Sequence, residues 1–488
     1  ASTAMRLPAM MTGGGTVALT YLFGRQTFGR LAGVVAAGAI LLQPRFFTHA
    51  HFACFDVPII FFWVATVYAY WRGLDSKGWA LACGLIWGLA LGTKLNAFFL
   101  PIVLTGHWVL TNWKSLRLRK TEGGWGVSLP PVPWALAAMA ILGPIVFYAT
   151  TPRFWFNSFE RLSKYMGFHL HHVHYFVYYF GRDVQWPPLP VSYPLVMTLV
   201  TVPATILIGA ALGFARAALE WDPIEWAKRW GRALAGGGVP DRGAGDPRGT
   251  GLLLAINLCF PIALISMPET PIFGGTKHWM PAMPFLAVFT GAGVLLAWER
   301  LRDLLAADGT TRGGSAAQTA LAGLLALAVC APAAKATAHI HPFGISYYNE
   351  FIGSIRGAAD QRMFRQFWGY TARQAFPWLN ANAKKNGRIW THNTTGYAWW
   401  FYKHEDLVRD DLRTGGLGGS DYALYHQQKA FVFRLRKLWQ KYGTRAPAHV
   451  VSKEGVPLLS VYVRPKVLEE MQNQEKPTLK VPNDEANR

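Results

Sequence analysis

The chain has 488 residues, of which 51% are hydrophobic, 14% aromatic and only 15% charged, and its mean hydropathy is +0.16. Soluble domains carry about 25% charged residues, so this deficit excludes an ordinary soluble enzyme and indicates a membrane protein. The net charge of +21 is shared by both halves of the chain. This distribution predicts anionic lipids, and not nucleic acid, as partners of the basic residues.

Apolar runs recur through the first 334 residues and predict a mainly α, polytopic membrane helical bundle. There are about ten of them, some shorter than the roughly 20 residues of a complete span. They are Leu7 to Phe23, Leu31 to Leu42, Val57 to Trp71, Trp79 to Leu91, Ala97 to Leu110, Val132 to Thr150, Val191 to Ala211, Leu252 to Met267, Met280 to Ala297 and Ala317 to Ala334.

The basic residues between the runs predict the orientation of the bundle. Of the 25 Lys and Arg residues before residue 335, 17 lie in alternate turns, which the positive-inside rule assigns to the cytoplasm. Residues 44–56, 92–96, 151–190 and 268–279 and everything after Ala334 are then extracytoplasmic. Ala1 is outside as well, so we expect either a cleaved signal peptide or an earlier span that this sequence lacks.

After Ala334 the long apolar runs stop, and shorter patterns predict a small extracytoplasmic α/β domain over residues 335–468. The polar tail 469–488 is predicted to be disordered. The predicted helices are Gly369 to Ala383, Gly396 to Leu407 and Lys429 to Tyr442, and the strands are Gly387 to Thr391, Tyr422 to His426, Ala448 to Val451 and Leu458 to Val463.

The stretch Pro44 to Pro58 places Arg45, His49, His51 and Asp56 between two apolar runs. Charged groups at a bilayer surface are costly, which favours a functional site, here part of an active-site rim. Arg45 can hold a phosphate with two parallel hydrogen bonds, and Asp56 can act as a base or orient one. The alternative is an interfacial turn with a snorkelling arginine and an N-cap aspartate.

Two further polar segments lie on the same predicted side. Lys94 lies at the break Gly92 to Asn96, where it can reach a lipid phosphate or serve as an interfacial anchor. Lys277 and His278 lie in Gly274 to Pro281, just before an apolar run. Glycine N–H groups, a helix N-terminus and these two side chains together predict an anion site.

Metal ligation is not predicted. The four cysteines, Cys54, Cys83, Cys259 and Cys330, show neither metal-ligand spacing nor a disulfide framework. The histidine-rich tract His169 to His174 is compatible with metal binding, but its aromatic neighbours favour an amphipathic helix in the membrane interface. We therefore expect no zinc site.

The segment His339 to Glu350 leads from the last apolar run into the α/β domain. Its hydroxyl, amide and carboxylate groups can contact a sugar, although a packed linker that docks the domain is an equal alternative. The candidate substrate cleft combines this segment with the first polar stretch: His49, His51, Tyr347, Tyr348, Asn349 and Glu350.

Several short motifs occur in a fixed order and on consistent sides of the predicted bundle. Together they resemble the GT-C membrane glycosyltransferases, nearest the bacterial branch of the protein O-mannosyltransferase and aminoarabinose transferase superfamily. The resemblance extends from Arg6 to about Asn349. The motifs are Arg6-Leu7-Pro8, Pro44-Arg45-Phe46, Phe55-Asp56-Val57-Pro58, Thr93-Lys94 and Lys277-His278-Trp279-Met280-Pro281.

The resemblance implies transfer of a sugar from a polyprenyl-phosphate carrier to a protein or lipid acceptor outside the cytoplasm. It implies a bacterial inner-membrane protein whose C-terminal domain is periplasmic. By resemblance, Arg45 and Asp56 match an arginine and an aspartate before the equivalent span, and Lys277 and His278 match a position near the carrier phosphate. The candidate catalytic residue is therefore Asp56. The candidates for binding the donor phosphate are Arg45, Lys94, Lys277 and His278.

One departure from the family concerns the catalytic acid. In the family, this acid lies in the first outside loop, which has no counterpart here, so we expect the main acid in a missing N-terminal loop. A catalytically silent member that serves as a structural subunit of a membrane complex is therefore the alternative function. A transporter is disfavoured, since the charges concentrate at the interfaces and not at mid-bilayer. A divalent metal ion would assist the transfer but is not required.

Overall fold

The structure, a computed structural model, describes residues 2–112, 117–121, 124–128, 130–175, 177–221, 248–272, 274–307, 315–428 and 431–473. It divides into two compact units, Thr3–Met363 and Phe364–Arg488, with Ala1–Ser2 grouped with the latter. The sequence-based boundary at Ala334 falls earlier. Residues 335–363 belong to the helical unit because their main chain is bonded to it, as in the Asn349 N–H to Val200 carbonyl bond of 2.8 Å. The domain assignment, including its side of the membrane, stays a prediction.

The first unit is a bundle of α-helices that follow the predicted apolar runs, and its interior is an extended apolar core. The predicted mainly α membrane bundle followed by a small α/β region is confirmed. The helices are α1 Ser2–Phe28, α2 Arg30–Leu41, α3 Pro44–His49, α4 Asp56–Gly73, α5 Lys77–Thr93, α6 Leu100–Asn112, α7 Trp134–Thr150, α8 Ser158–Leu170, α9 Tyr193–Thr201, α10 Ala204–Trp221, α11 Thr250–Ser266, α12 Met283–Ala307, α13 Ser315–Ile340 and α14 Ser354–Asp360.

Two helices of the described ranges, Met280–Leu305 and Ala316–Ile340, are long and apolar enough to cross a membrane. The pair Tyr193–Thr201 and Ala204–Ala217, bent by 118°, makes a third if it counts as one span. Only 6% of the apolar window of Ala316–Ile340 is buried. Such an exposed apolar helix requires a lipid or protein neighbour. Within the described residues, the other predicted spans do not meet both criteria, and these include α1, which has 27 residues. Their crossing of the bilayer stays a prediction.

The helices α10 and α12 approach each other closely through glycines. A methyl group on Gly213 would collide with the backbone carbonyl of Phe289, and one on Gly293 would collide with the carbonyl of Gly209. Small residues at such positions let two helix backbones come together, which is a common way to pack membrane helices.

The long loop between α7 and α9 contains less helix than its aromatic pattern predicts. The helix α8 ends at Leu170, and the chain then forms a hairpin of strands Val177–Tyr179 (β3) and Arg182–Val184 (β4). Hydrogen-bonded pairing of these short strands replaces the predicted continuation of the amphipathic helix. An earlier hairpin joins strands Arg117–Thr121 (β1) and Gly124–Ser128 (β2).

The second unit is built on a five-stranded mixed sheet. Its strands are β5 Arg388–Trp390, β6 Arg413–Thr414, β7 Tyr422–His426, β8 His449–Lys453 and β9 Val456–Val463. Their order in the sheet is β6-β5-β7-β9-β8, with β5 parallel to β6 and β7, and with β9 antiparallel to β7 and β8. The helices of this unit are α15 Phe376–Asn382, α16 Gly396–His404, α17 Val432–Tyr442 and α18 Pro465–Asn473.

The C-terminal tail starts with helix where disorder is predicted. Residues 469–473 belong to α18, and residues 474–488 lie outside the described residues. The helix is stabilised because it packs on the sheet: Val467 is 5% exposed, and the Tyr422 hydroxyl lies 3.6 Å from the Met471 sulfur. The polar composition of the tail does not reveal that Met471 accepts a hydrogen bond from a residue of the sheet.

Candidate active site

The stretch between α2 and α4 forms a short helix followed by bends. Pro44 occupies the first turn of α3, where its missing N–H costs nothing. His49 ends this helix, and Asp56 begins α4, whose N-terminal dipole favours a carboxylate. Both side chains are buried, with exposures of 0% for His49 and 2% for Asp56. The local fold therefore turns a polar sequence inward.

Asp56 has two partners in this interior. Its Oδ1 lies 2.9 Å from Nζ of Lys94, the residue that follows α5, and its Oδ2 lies 3.8 Å from Nδ1 of His49. The shorter contact is an ion pair with a hydrogen bond. The longer one is too long for a hydrogen bond. Asp56 thus fixes the position of the Lys94 ammonium.

Lys277 brings a second ammonium to the same place. It lies in the 3₁₀ turn Gly275–His278 and is 8% exposed. Burial lowers the pKa of Lys277, and the nearby Asp56 carboxylate opposes this shift. Gly274, at φ 70°, gives Lys277 its space, since a Cβ there would lie 2.7 Å from the Lys277 Cε. Segments far apart in sequence thus converge on one carboxylate.

His49 is neutral in this environment. Burial lowers the pKa of His49 to about 4, Asp56 opposes the shift, and the positive charges of Arg45, Lys277 and Lys94 reinforce it. Burial likewise raises the pKa of the Cys54 thiol to about 11, with a further increase from the Asp56 carboxylate. The site is therefore a cationic cluster around one carboxylate, with a neutral imidazole and a neutral thiol beside it.

Arg45 is close to this cluster, but its guanidinium is engaged. Its Nη2 donates to the Tyr347 carbonyl at 3.1 Å, and its Cζ lies 5.2 Å from the centroid of the Tyr348 ring. Arg45 is 6% exposed. The Tyr347 hydroxyl is buried and has no hydrogen-bond partner among the described residues. Arg45 therefore holds the segment that contains Tyr347 and Tyr348 in place. This structural role does not depend on whether Arg45 also binds an anion.

Two other candidates have structural partners. The Asn349 amide donates to the Leu199 and Val202 carbonyls, both at 2.7 Å, and Asn349 Oδ1 accepts from the Phe351 N–H. His51 Nδ1 lies 2.7 Å from the Phe47 carbonyl of its own turn.

Glu350 is exposed, and His278 is partly buried beside Lys277. The structure brings Arg45, His49, Asp56, Lys94 and Lys277 together; the roles of all the candidates stay predictions.

Sequence reasoning missed Cys54. It forms a group with His49 and Asp56 whose ligand atoms all lie within 4.8 Å of one another. Its position two residues before Asp56 is the only signal in the sequence. Within the described ranges, the histidine-rich tract forms no comparable group.

This arrangement is suited to binding an anion. Two lysine ammonium groups can compensate a phosphate, and low exposure strengthens their interaction with it. The Asp56 carboxylate, which is paired with Lys94, offsets the repulsion between the cations when no anion is bound. Charge of both signs within one buried cluster is the arrangement expected of a group-transfer site.

Comparison with known proteins finds one family model that matches the first part of the chain. Residues 1–150 match the family model described as dolichyl-phosphate-mannose-protein mannosyltransferase. None of the curated proteins matches the chain.

Among solved structures, the chain is similar to ArnT from Cupriavidus metallidurans bound to undecaprenyl phosphate, at 15% identity and a TM-score of 0.42, covering 94% of this chain and 83% of ArnT. It is also similar to the oligosaccharyltransferase AglB from Archaeoglobus fulgidus in complex with an inhibitory peptide and a dolichol-phosphate. The identity there is 12% and the TM-score 0.42, covering 87% of this chain and 58% of AglB. Neither similarity is high enough to assign a residue role. The family-model match over residues 1–150 confirms the resemblance to the GT-C glycosyltransferase superfamily that the sequence motifs indicate.

Proposed function

We propose that this chain is a membrane glycosyltransferase that moves a sugar from a polyprenyl-phosphate carrier to a protein or lipid acceptor on the extracytoplasmic side. The observation that carries the proposal is the cluster of Asp56 and Lys277, both buried, with the partly buried Lys94, together with the family match over residues 1–150. Three segments distant in sequence contribute to it. A purely structural bundle has no need to gather two ammonium groups of low exposure beside one buried carboxylate.

The reaction places specific demands on these charges. The acceptor oxygen forms a bond to the anomeric carbon while the bond from that carbon to the phosphate oxygen breaks. The lipid phosphate departs with the electron pair, and the acceptor proton passes to a base. Lys94 and Lys277 stabilise the negative charge that develops on the departing phosphate. Burial makes this stabilisation larger than it is in water.

Asp56 acts in this proposal by orienting Lys94. A carboxylate that is held in an ion pair is a weak base, because deprotonation is already favoured by the ammonium. The 2.9 Å contact to Lys94 therefore supports an orienting role over direct proton abstraction. The acceptor's base is expected in the N-terminal loop that the family resemblance implies.

The side of the membrane follows from charge. The positive-inside rule supports an extracytoplasmic position for α3, Lys94, Lys277 and the C-terminal α/β unit. A bacterial inner membrane, with that unit in the periplasm, is what the family resemblance implies. These segments meet in one cluster, which is consistent with a common side. Membrane lipids and a lipid-linked sugar are the proposed partners.

A second candidate function is a catalytically silent subunit of a membrane complex. The observation that favours it is the same ion pair, because the carboxylate of the cluster is committed to Lys94. The two candidates differ in turnover: a silent subunit binds the carrier phosphate without releasing a sugar from it.

The test is an assay of the purified protein against a panel of polyprenyl-phosphate-linked sugars. We expect release of the lipid phosphate from at least one of them, and a rate reduced by about 10²–10³-fold in Asp56→Asn and in Lys277→Ala. Lys164→Ala is the matched control, since Lys164 is 75% exposed and pairs with Glu160 on α8. Wild-type turnover by both site variants would refute the assignment.

A further inference from the structure

The helix α17 of the second unit has two faces of opposite character. Its apolar face contributes Leu438 and Tyr442, which are 0% and 2% exposed, to a core cluster on the sheet. The Tyr442 hydroxyl also donates to the Ser420 carbonyl at 3.0 Å. These contacts fix which side of the helix points outward.

The outward face of α17 is basic. Residues at positions i, i+3, i+4, i+7 and i+8 lie along one face of a helix. All five positions of this set are exposed, and they are occupied by Phe433, Arg436, Lys437, Gln440 and Lys441. Three cations and one aromatic ring thus form a continuous outward surface, which we call the basic face.

The sequence around the basic face contains charge of one sign only. Between Asp421 and Glu454 there is no acidic residue, whereas seven basic residues occur: Lys429, Arg434, Arg436, Lys437, Lys441, Arg445 and Lys453. A solvated helix face usually mixes both signs of charge, whereas a basic amphipathic helix is typical of a membrane surface.

The acidic residues nearby are engaged elsewhere. The ion pairs that the structure describes in the second unit join Lys384 to Asp421 and Arg409 to Asp411, and neither involves the basic face. The charge of this face is therefore available to an anionic partner outside the chain.

Apolar side chains accompany the cations at the start of α17. Phe433 is 54% exposed, and Val432 is 38% exposed. The Arg434 Cζ lies 5.7 Å from the centroid of the Phe433 ring, within the range of a cation–π contact. An exposed ring beside cations suits a lipid surface, because the ring enters the interface while the cations reach headgroup phosphates. A dissolved polyanion would leave the ring in water.

We propose that the basic face binds the surface of a bilayer that contains anionic lipids. Arg436, Lys437 and Lys441 lie against the headgroup phosphates, and Phe433 enters the interface. The membrane bundle of the same chain brings a bilayer within reach. The composition of the whole chain predicts anionic lipids as partners in general, and the proposal assigns them a surface on the second unit. It does not rest on the proposed glycosyl transfer, since none of the candidate active-site residues takes part.

A cysteine in the middle of the basic face tests the contact. Full-length Gln440→Cys is placed in nanodiscs of phosphatidylcholine, or of equal parts of phosphatidylcholine and phosphatidylglycerol. Mass spectrometry follows its alkylation by a neutral, membrane-impermeant maleimide. We expect alkylation to be at least about fivefold slower in the mixed discs, the factor that corresponds to one basic residue at an anionic surface. Equal rates in the two discs would overturn the proposal.

The matched control is Glu469→Cys, which changes an exposed residue of α18. The Tyr422 hydroxyl contacts Met471 of α18, whereas the next residue, Ala423, packs with the apolar face of α17. Successive residues of a strand point to opposite faces of a sheet, so the two helices cover opposite faces. The control cysteine should react at the same rate in both discs.

Removal of charge distinguishes the basic face from an effect of net charge. In the Gln440→Cys background, the combined variant Arg436→Gln, Lys437→Gln and Lys441→Gln should abolish the difference between the discs. The combined variant Lys385→Gln, Arg413→Gln and Lys466→Gln removes the same charge from exposed positions elsewhere in the unit and should preserve the difference. Equal loss in both combined variants would overturn the assignment to this face.

Salt and a dissolved polyanion complete the test without further substitutions. Raising the salt from about 0.1 M to 1 M shortens the Debye length from about 10 Å to 3 Å, so it should remove most of the protection in the mixed discs. Protection by dissolved polyphosphate, with none by phosphatidylglycerol, would overturn the lipid assignment. Because no sugar donor is present, a failure of the proposed glycosyl transfer would leave the result of this test intact.

Discussion

At the scale of single residues, Asp56 and Lys94 act as a pair. Lys94 is held by one oxygen of a carboxylate that is almost fully buried, and the two residues lie 38 positions apart in the chain. Removing either partner leaves an uncompensated charge in a buried place, which is more costly than losing the pair as a whole. The consequences for catalysis and for stability should therefore be coupled.

A double-mutant cycle measures this coupling. We expect Asp56→Asn and Lys94→Met each to lower the rate of sugar transfer by about 10²–10³-fold. The rate of the double variant should fall by a much smaller factor than the product of the two single-variant factors, because each substitution already disables the same ion pair. Rates of lipid-phosphate release report the result, with Lys164→Met as the control. Multiplicative losses would show that the two residues act independently.

Arg45 contributes through its geometry as well as its charge. It donates to a backbone carbonyl 302 residues away and lies over an aromatic ring. Lysine cannot reproduce a planar guanidinium in both contacts. We expect Arg45→Lys to lower the thermal stability of the detergent-solubilised protein, since one buried hydrogen bond to a charged group contributes about 1.5–3 kcal/mol. Arg161→Lys on the exposed face of α8 is the control, and equal melting temperatures would contradict the prediction.

At the scale of elements, the contact of α10 with α12 depends on the absence of side chains. Gly213 faces a backbone carbonyl of the other helix, whereas Gly106 in α6 has nothing within 4 Å of an added methyl group. We expect Gly213→Ala to destabilise the bundle by about 1–3 kcal/mol. Gly106→Ala should be neutral or slightly stabilising. Thermal unfolding of both variants measures the difference. Equal melting temperatures for the two variants would contradict the proposed close packing of α10 and α12.

The sheet of the second unit predicts a pH dependence. His426, the last residue of β7, is fully buried and lies 3.0 Å and 3.1 Å from the hydroxyls of Thr371 and Thr394. Burial lowers the pKa of His426 to about 3. The folded state thus keeps this histidine neutral, while the unfolded chain takes up a proton below about pH 6.5. Stability is complete above pH 6.5 and falls as the pH decreases toward 3.

The loss should reach about 2 kcal/mol between pH 7 and pH 5 for this group. Unfolding curves of the second unit within the full-length protein measure it. His426→Gln should reduce the dependence over this range and leave the part due to His392, whose pKa burial also lowers to about 3, whereas His171→Gln, which changes an exposed histidine of the first unit, should not reduce it. A wild-type stability that rises on acidification would contradict the sign of the effect.

At the scale of the whole molecule, the predicted topology assigns a side to every turn. A cysteine at Lys164, which is 75% exposed, should react with a membrane-impermeant maleimide in intact cells whose outer membrane has been permeabilised. A cysteine at Arg302, in a turn assigned to the cytoplasm and 50% exposed, should react only after lysis. Labelling of Arg302→Cys in intact cells with protection of Lys164→Cys would reverse the orientation and exclude an extracytoplasmic site.

The sequence by itself determined the elements that depend on local pattern. Apolar runs such as Val57 to Trp71 became helices, and the strand predicted over Tyr422 to His426 has the same bounds in the structure. Run length and alternation are properties of neighbouring residues, and burial in lipid or in a sheet acts on them directly. For the same reason, the polar stretch that contains Arg45 and Asp56 is conspicuous in the sequence, since it interrupts two apolar runs.

Only the tertiary structure decided which side chains meet. In the folded chain, Asp56 pairs with the ammonium of Lys94, Arg45 donates a hydrogen bond to the Tyr347 carbonyl, and Cys54 lies near His49. It also showed that Asn349, a candidate for the substrate cleft, bonds to the end of α9. Such pairings depend on how distant helices pack, and no local period encodes them. The charged residues of the site can thus be recognised from the sequence, whereas the residues that they contact are known only from the fold.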